Sequence, residues 1–223
     1  MPFPMIHLHI ANKIATLHPE LIKSLPQFYL GTLAPDSVHF REEFIANDKK
    51  VTHLCVSDEN WGEVTNNDEW IESVLAFLNE HKGSENACFA LGYAVHILSD
   101  VYNNIYVWTP YRLRAEVEMN ISKYYGSDYH KDAAIVDFRL ADEFTQREEV
   151  WDSLGKSKAI TIRDIVFAKD IEKIRDNILY VQYNNQSIDI VETQTFTYEN
   201  ALNQIQNTTK FISEFLKTDR RQA

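Results

Sequence analysis

His96 and Asp100 stand four residues apart in the segment Gly92-Tyr-Ala-Val-His96-Ile-Leu-Ser-Asp100. A helix puts positions i and i+4 on one face, close enough to share a ligand. Their neighbours Phe89, Leu91, Val95 and Leu98 are apolar. A buried imidazole and carboxylate are costly there unless a hydrogen-bond partner or a metal pairs them. Imidazole nitrogen and carboxylate oxygen are the ligand types of catalytic zinc, which keeps a position open for water. His7, Asp36 and His53 offer the same types elsewhere in the chain. Each also has a plainer reading. His7 fits a helix surface, Asp36 after Pro35 fits the start of a turn, and His53 fits a solvated loop.

The elements that must position these groups read as helices. Ile6, Ile10, Ile14 and Leu17 follow helical spacing, which predicts a first helix from about Pro4 to His18. Pro19 and Pro26 punctuate two shorter pieces ending near Gly31. Residues 32–66 lack a sustained apolar period and read as a long ordered loop carrying Asp36, His39 and His53. Asn66 with Glu69 forms a capping box for a helix that ends at His81-Lys82-Gly83. The next helix, about 85–106, is apolar on more than one face, the mark of a central buried helix. Further helices are expected near 110–125, 129–144, 146–154 and 169–183. Ser187 to Tyr198 alternates as a short strand or an extended segment would. A last helix, about 198–217, is expected to use Leu202, Ile205, Phe211, Ile212 and Phe215. The expected architecture is one all-α, multi-helix domain over residues 1–223.

Composition bounds the function. Only 6 Gly and 6 Pro in 223 residues favour long helices over a turn-rich β protein. A net charge of −11 argues against nucleic-acid binding, which needs many Lys and Arg contacts. It leaves room for a small phosphorylated substrate, because a bound cation reverses the local field. Cys55 and Cys88 make no disulfide framework. With no signal-peptide pattern and no run of transmembrane length, the chain is expected to be cytoplasmic. The aromatic cluster Tyr102, Tyr106, Trp108 and Tyr111 is read as core, His130 as exposed, and Asp142, Glu143, Glu148 and Glu149 as a solvated face. No Gly-rich phosphate loop or nucleophilic triad is present.

Four segments together carry a resemblance. The stretch Gly92 to Asp100 looks like the G-x-x-x-H-x-x-x-D helix of the zinc-dependent phospholipase C family. His7-Leu-His-Ile-Ala-Asn12-Lys13 is similar to its first-helix pattern, Gly31-Thr-Leu-Ala-Pro-Asp36 to its G-x-x-x-x-D element, and Thr52-His53-Leu to its S/T-H-F element. The four occur in the family's order within the first half of the chain.

The resemblance implies an all-α fold with zinc between helices. Asp36, His53, His96 and Asp100 would hold one ion, and His7 with Asp100 a second, Asp100 bridging. It also implies Asp36 as general base and a phospholipid substrate, as in secreted members; a small soluble phosphoester is the expectation for a cytoplasmic chain. The pattern departs at Tyr106, where secreted members carry a further His, and at Ala134, where the later H-x-x-x-E pair would end. A third ion therefore lacks its ligands. These departures motivate a second outcome, a metal-binding helical domain with little or no catalysis; a third, an S1/P1-type nuclease of related architecture, expects a His soon after the central Asp that this chain lacks.

Overall fold

The computed structural model describes residues 3–119, 128–185 and 188–222, and every regular element among them is a helix. Helix α1 spans Pro4–Leu17 and α2 Leu25–Leu33, each with proline in its first turn, where no backbone N–H is needed. A 3-10 segment, Ala34–Phe40, continues directly from α2, and α3 covers Ala46–Thr52. Helix α4 spans Asn67–His81 and α5 Ala87–Asn103; α5 runs on through a π-helical turn, Asn104–Trp108, into α6, Thr109–Met119. There follow α7 at Asp128–Asp142, α8 at Arg147–Gly155, and α9 at Ala168–Asp176 with a π-helical turn at Asn177–Gln182. The short α10 is Tyr183–Asn185, and α11 is Tyr198–Gln222.

Helix α5 is the axis of the molecule. Every residue from Phe89 to Val101 is buried, as its all-round apolar pattern requires. Its closest neighbour is α2, and two glycines set the approach. A Cβ on Gly92 would lie 1.9 Å from the Phe28 carbonyl oxygen, and one on Gly31 would lie 2.0 Å from that of Phe89. Only glycine lets the two backbones meet there. Helix α1 packs on α2, α5, α7 and α11, so its N-terminal half also faces the centre. Asp137 of α7 secures that end by accepting the Met5 N–H at 2.8 Å and the Tyr183 hydroxyl at 2.5 Å.

The structure corrects several expectations from the sequence. Residues 32–66 are not one loop, since the 3-10 segment and α3 lie within them and hold Asp36 and the approach to His53. Both are short and draw on distant partners, so no long apolar period marks them. Of the two readings of the segment before Tyr198, the strand is not formed: residues 188–197 carry no regular element, and no second strand is present among the described residues to pair with them, which leaves the extended segment. Ser187 and the end of the helix expected at 110–125 lie outside the described residues. In α11, Ile205 and Ile212 are buried and Phe211 and Phe215 pack on the core as expected, but Leu202 is 44% exposed and Thr208 is fully buried. Tyr106 is 59% exposed on the π-helical turn, so it lies outside the core with which it was grouped. Among the described residues no helix is long and apolar enough to cross a membrane.

Candidate metal centre

The five groups come from four elements and converge. His7 lies on α1, Asp36 on the 3-10 segment, His53 immediately after α3, and His96 and Asp100 on α5. His53 Nε2 is 3.3 Å from His96 Nε2, 3.3 Å from Asp100 Oδ2 and 3.4 Å from Asp36 Oδ1. His96 Nε2 is 3.5 Å from Asp100 Oδ2 and 3.9 Å from Asp36 Oδ2. Asp100 divides its oxygens: Oδ2 faces these two imidazoles, and Oδ1 faces His7 Nε2 at 3.7 Å. The His7 ring stacks on His96 with centroids 3.7 Å apart. All but Asp36 are at most 1% exposed.

Backbone carbonyls orient the rings. His96 Nδ1 donates to the Thr32 carbonyl at 2.7 Å, a contact that the glycine-mediated approach of α2 and α5 makes available. His53 Nδ1 donates to the Lys49 carbonyl at 2.9 Å. A carbonyl only accepts, so each ring carries a proton on Nδ1 and, when neutral, turns a bare Nε2 inward. Outer hydrogen bonds of this kind fix the tautomer of metal-binding histidines. The chain around His53 is itself held, since Trp70 Nε1 donates to the His53 carbonyl at 2.7 Å and the Tyr93 hydroxyl donates to that of Thr52.

The two imidazoles, when neutral, therefore turn their lone pairs towards the two carboxylates. Such acceptors repel one another unless a positive charge lies between them. Tetrahedral ligands 2.0–2.1 Å from zinc are separated from each other by about 3.3–3.4 Å. Four of the distances above, from 3.3 to 3.5 Å, are of that size. Both nitrogens of His7 and both oxygens of Asp100 are buried without a hydrogen-bond partner. Orphaned groups of this number are uncommon in a core. The donor set thus fits a divalent ion in composition, spacing and want of other partners. His7, His96 and Asp100 form one such group, and Asp36, His53 and His96 a second.

The electrostatics agree with that fit. Burial and the neighbouring His96 lower the His7 imidazole to about 3. Burial lowers His53 to about 4 although Asp36 opposes it. Both rings are therefore neutral at neutral pH, the state a ligand needs. Burial acts on His96 the same way, but Asp100 and Asp36 outweigh it and raise the ring. Positive charge is favoured at that point, whether proton or metal. Burial raises the Asp36 carboxyl, but Lys49, His39 and His53 together hold it well below the usual carboxylate range.

Other groups take different places. His9 packs on Phe144 and reaches the Leu140 carbonyl at 3.2 Å, away from the cluster. His39, with a plain reading as a polar loop residue, instead meets Lys49 Nζ at 2.8 Å and Asp36 at 3.6 Å. His130 is half-buried, not exposed, and lines a cleft of about 310 Å³ together with Asp36, His39, Lys49 and Trp61. Lys49 and Trp61 escaped the reading of the sequence. A single Lys in a polar stretch has no periodic signal, and only the fold brings it to Asp36. Comparison with family models, with curated proteins and with solved structures gave no match.

Proposed function

We propose that the protein is a zinc-dependent phosphoric ester hydrolase of the kind its four sequence segments resemble. The observation that carries the reading is the inward-facing set of His53 Nε2, His96 Nε2, Asp100 Oδ2 and Asp36 Oδ1, in which four separations of 3.3 to 3.5 Å are the size expected between ligands of one zinc. His7 and Asp100 would hold a second ion, so Asp100 would serve in both ligand sets. Ions bound there would supply Lewis acidity and make water a stronger nucleophile near neutral pH.

The chain's own residues do the rest. The carbonyls of Thr32 and Lys49 keep His96 and His53 in the tautomer that presents Nε2. Burial of the centre strengthens its electrostatics and keeps bulk water from four of the five groups. Asp36, with 15% of its side chain exposed, alone among the five lines the cleft, and it faces any ester entering there. Its low pKa suits a ligand and weakens it as the proton acceptor that the resemblance implies. The substrate is a phospholipid or a small phosphodiester or phosphomonoester.

A second reading has its own support. Tyr106, at the position where a third ion would find a ligand, is exposed. A helical domain that binds metal without catalysis is consistent with that. Turnover of bis(p-nitrophenyl) phosphate, p-nitrophenyl phosphate and phosphatidylcholine by the zinc-loaded protein separates the two. Hydrolysis of at least one, lost on chelation and restored by zinc, is expected. Full zinc content with no hydrolysis under zinc or manganese leaves the non-catalytic reading. Cleavage confined to single-stranded nucleic acid points to nuclease activity instead.

A further inference from the structure

Lys49 is 7% exposed, an unusual position for an ammonium. Its Nζ lies 3.2 Å from Asp36 Oδ1 and 2.8 Å from His39 Nε2. Trp61 covers it, the ring centroid 5.4 Å away. An ammonium carries three N–H donors, and these two acceptors engage two of them. Asp36 Oδ1 also faces His53 Nε2 at 3.4 Å, so one carboxylate oxygen links the ammonium to the metal centre.

The charge balance sets Lys49 apart. Asp36 and Asp100 together neutralise one divalent ion, which leaves the lysine charge over. A second ion would enlarge the excess. Asp36 and Lys49 are the only Asp, Glu, Lys or Arg among the described residues lining the cleft, so nothing else there offsets it. Apolar walls, including Phe3, Phe40 and Ile174, lessen screening by water.

We infer that Lys49, backed by His39 and roofed by Trp61, is an oxyanion-binding subsite that seats a phosphoryl oxygen of the ligand beside the metal centre. This rests on the reading of the centre as one that holds a divalent ion. It requires the ligand to be an anion, and it does not require that the ligand be hydrolysed.

The test is calorimetric titration of inorganic phosphate into the full-length, zinc-loaded protein and two variants, with zinc measured in each. Lys49→Met keeps the length of the side chain and the backbone carbonyl that orients His53, so zinc content should match the parent. Its phosphate affinity should fall by about tenfold or more, the size of a lost charge-assisted hydrogen bond. Lys49→Arg, which restores the charge, should recover most of the affinity. Unchanged phosphate binding in Lys49→Met overturns the inference, as does a zinc-loaded parent that binds no phosphate. Zinc lost together with phosphate binding would assign Lys49 to holding the ligands in place, and overturns it too. A protein that binds phosphate through Lys49 but hydrolyses no ester would refute the hydrolase reading and leave this one standing.

Discussion

His53 and His96 meet Nε2 to Nε2 at 3.3 Å, each ring turned by a backbone carbonyl so that, when both are neutral, neither inward nitrogen carries a proton. Two lone pairs in contact, beside two carboxylates, make sense around a cation. The relationship is set from outside the centre, by Thr32 and Lys49, which are not ligands themselves.

Removing a ligand should therefore remove the metal. Purified parent is expected to hold about one to two equivalents of zinc or a similar ion. His96→Ala and Asp100→Ala should hold little, with helical content by circular dichroism near that of the parent. Elemental analysis showing full metal in both variants would sink the assignment.

The supporting helix contact should matter nearly as much. A methyl group at Gly92 would collide with the Phe28 backbone, 1.9 Å from its oxygen. Gly92→Ala should cost at least about 2 kcal/mol by denaturant unfolding, since neither backbone yields as a side chain does. It should also weaken zinc binding by about 10–100-fold, because the Thr32 carbonyl would no longer meet His96. A variant with the parent's stability and zinc affinity would show that the contact is dispensable.

The rings of the centre should take up protons at different pH, His96 first, because burial there is outweighed by Asp100 and Asp36, which raise it. Burial lowers His7 to about 3 and His53 to about 4. The same shifts act on folding. The unfolded imidazoles take up protons below about 6.5 while the folded ones stay neutral, so this contribution to stability declines as pH falls from there towards 3–4. In the zinc-free protein, the imidazole NMR signals of His7 and His53 should show both rings still neutral at pH 5, and a midpoint near that of exposed histidine for either would contradict the buried geometry.

Asp137 gives the opposite pH dependence. Burial raises its carboxyl to about 7 against the pull of the Tyr183 hydroxyl and the Met5 N–H. A raised folded value means that its contribution is complete below the ordinary 3.8 and is lost as pH rises through 7. Asp137→Asn, which mimics the neutral acid, should be more stable than the parent at pH 8 by about 1–3 kcal/mol. The difference should vanish below pH 4. Parallel unfolding curves at the two pH values would show that Asp137 is ionised throughout.

Much of the helical framework was legible in local pattern. The Asn66 cap is real, with its side-chain oxygen accepting the Glu69 N–H at 3.3 Å, and Gly83 takes the left-handed turn expected just past α4, at φ +74°. The buried run of α5 follows from its apolar faces, because burial on all sides leaves no polar stripe. The segment 32–66 was less legible. Its short helices depend on partners such as Trp70 and Tyr93, far along the chain.

The sequence by itself determined which residues have metal-binding chemistry and that His96 and Asp100 share a face, because side-chain type and helical period are local properties. Only the tertiary structure decided that His7, Asp36 and His53 meet that face. The reason is steric and long-range: Gly31 and Gly92 let α2 reach α5, which brings Thr32 to His96 and carries Asp36 alongside. The same packing decided that Lys49, unremarkable in the chain, stands beside the centre as the one cation of its cleft among the described residues.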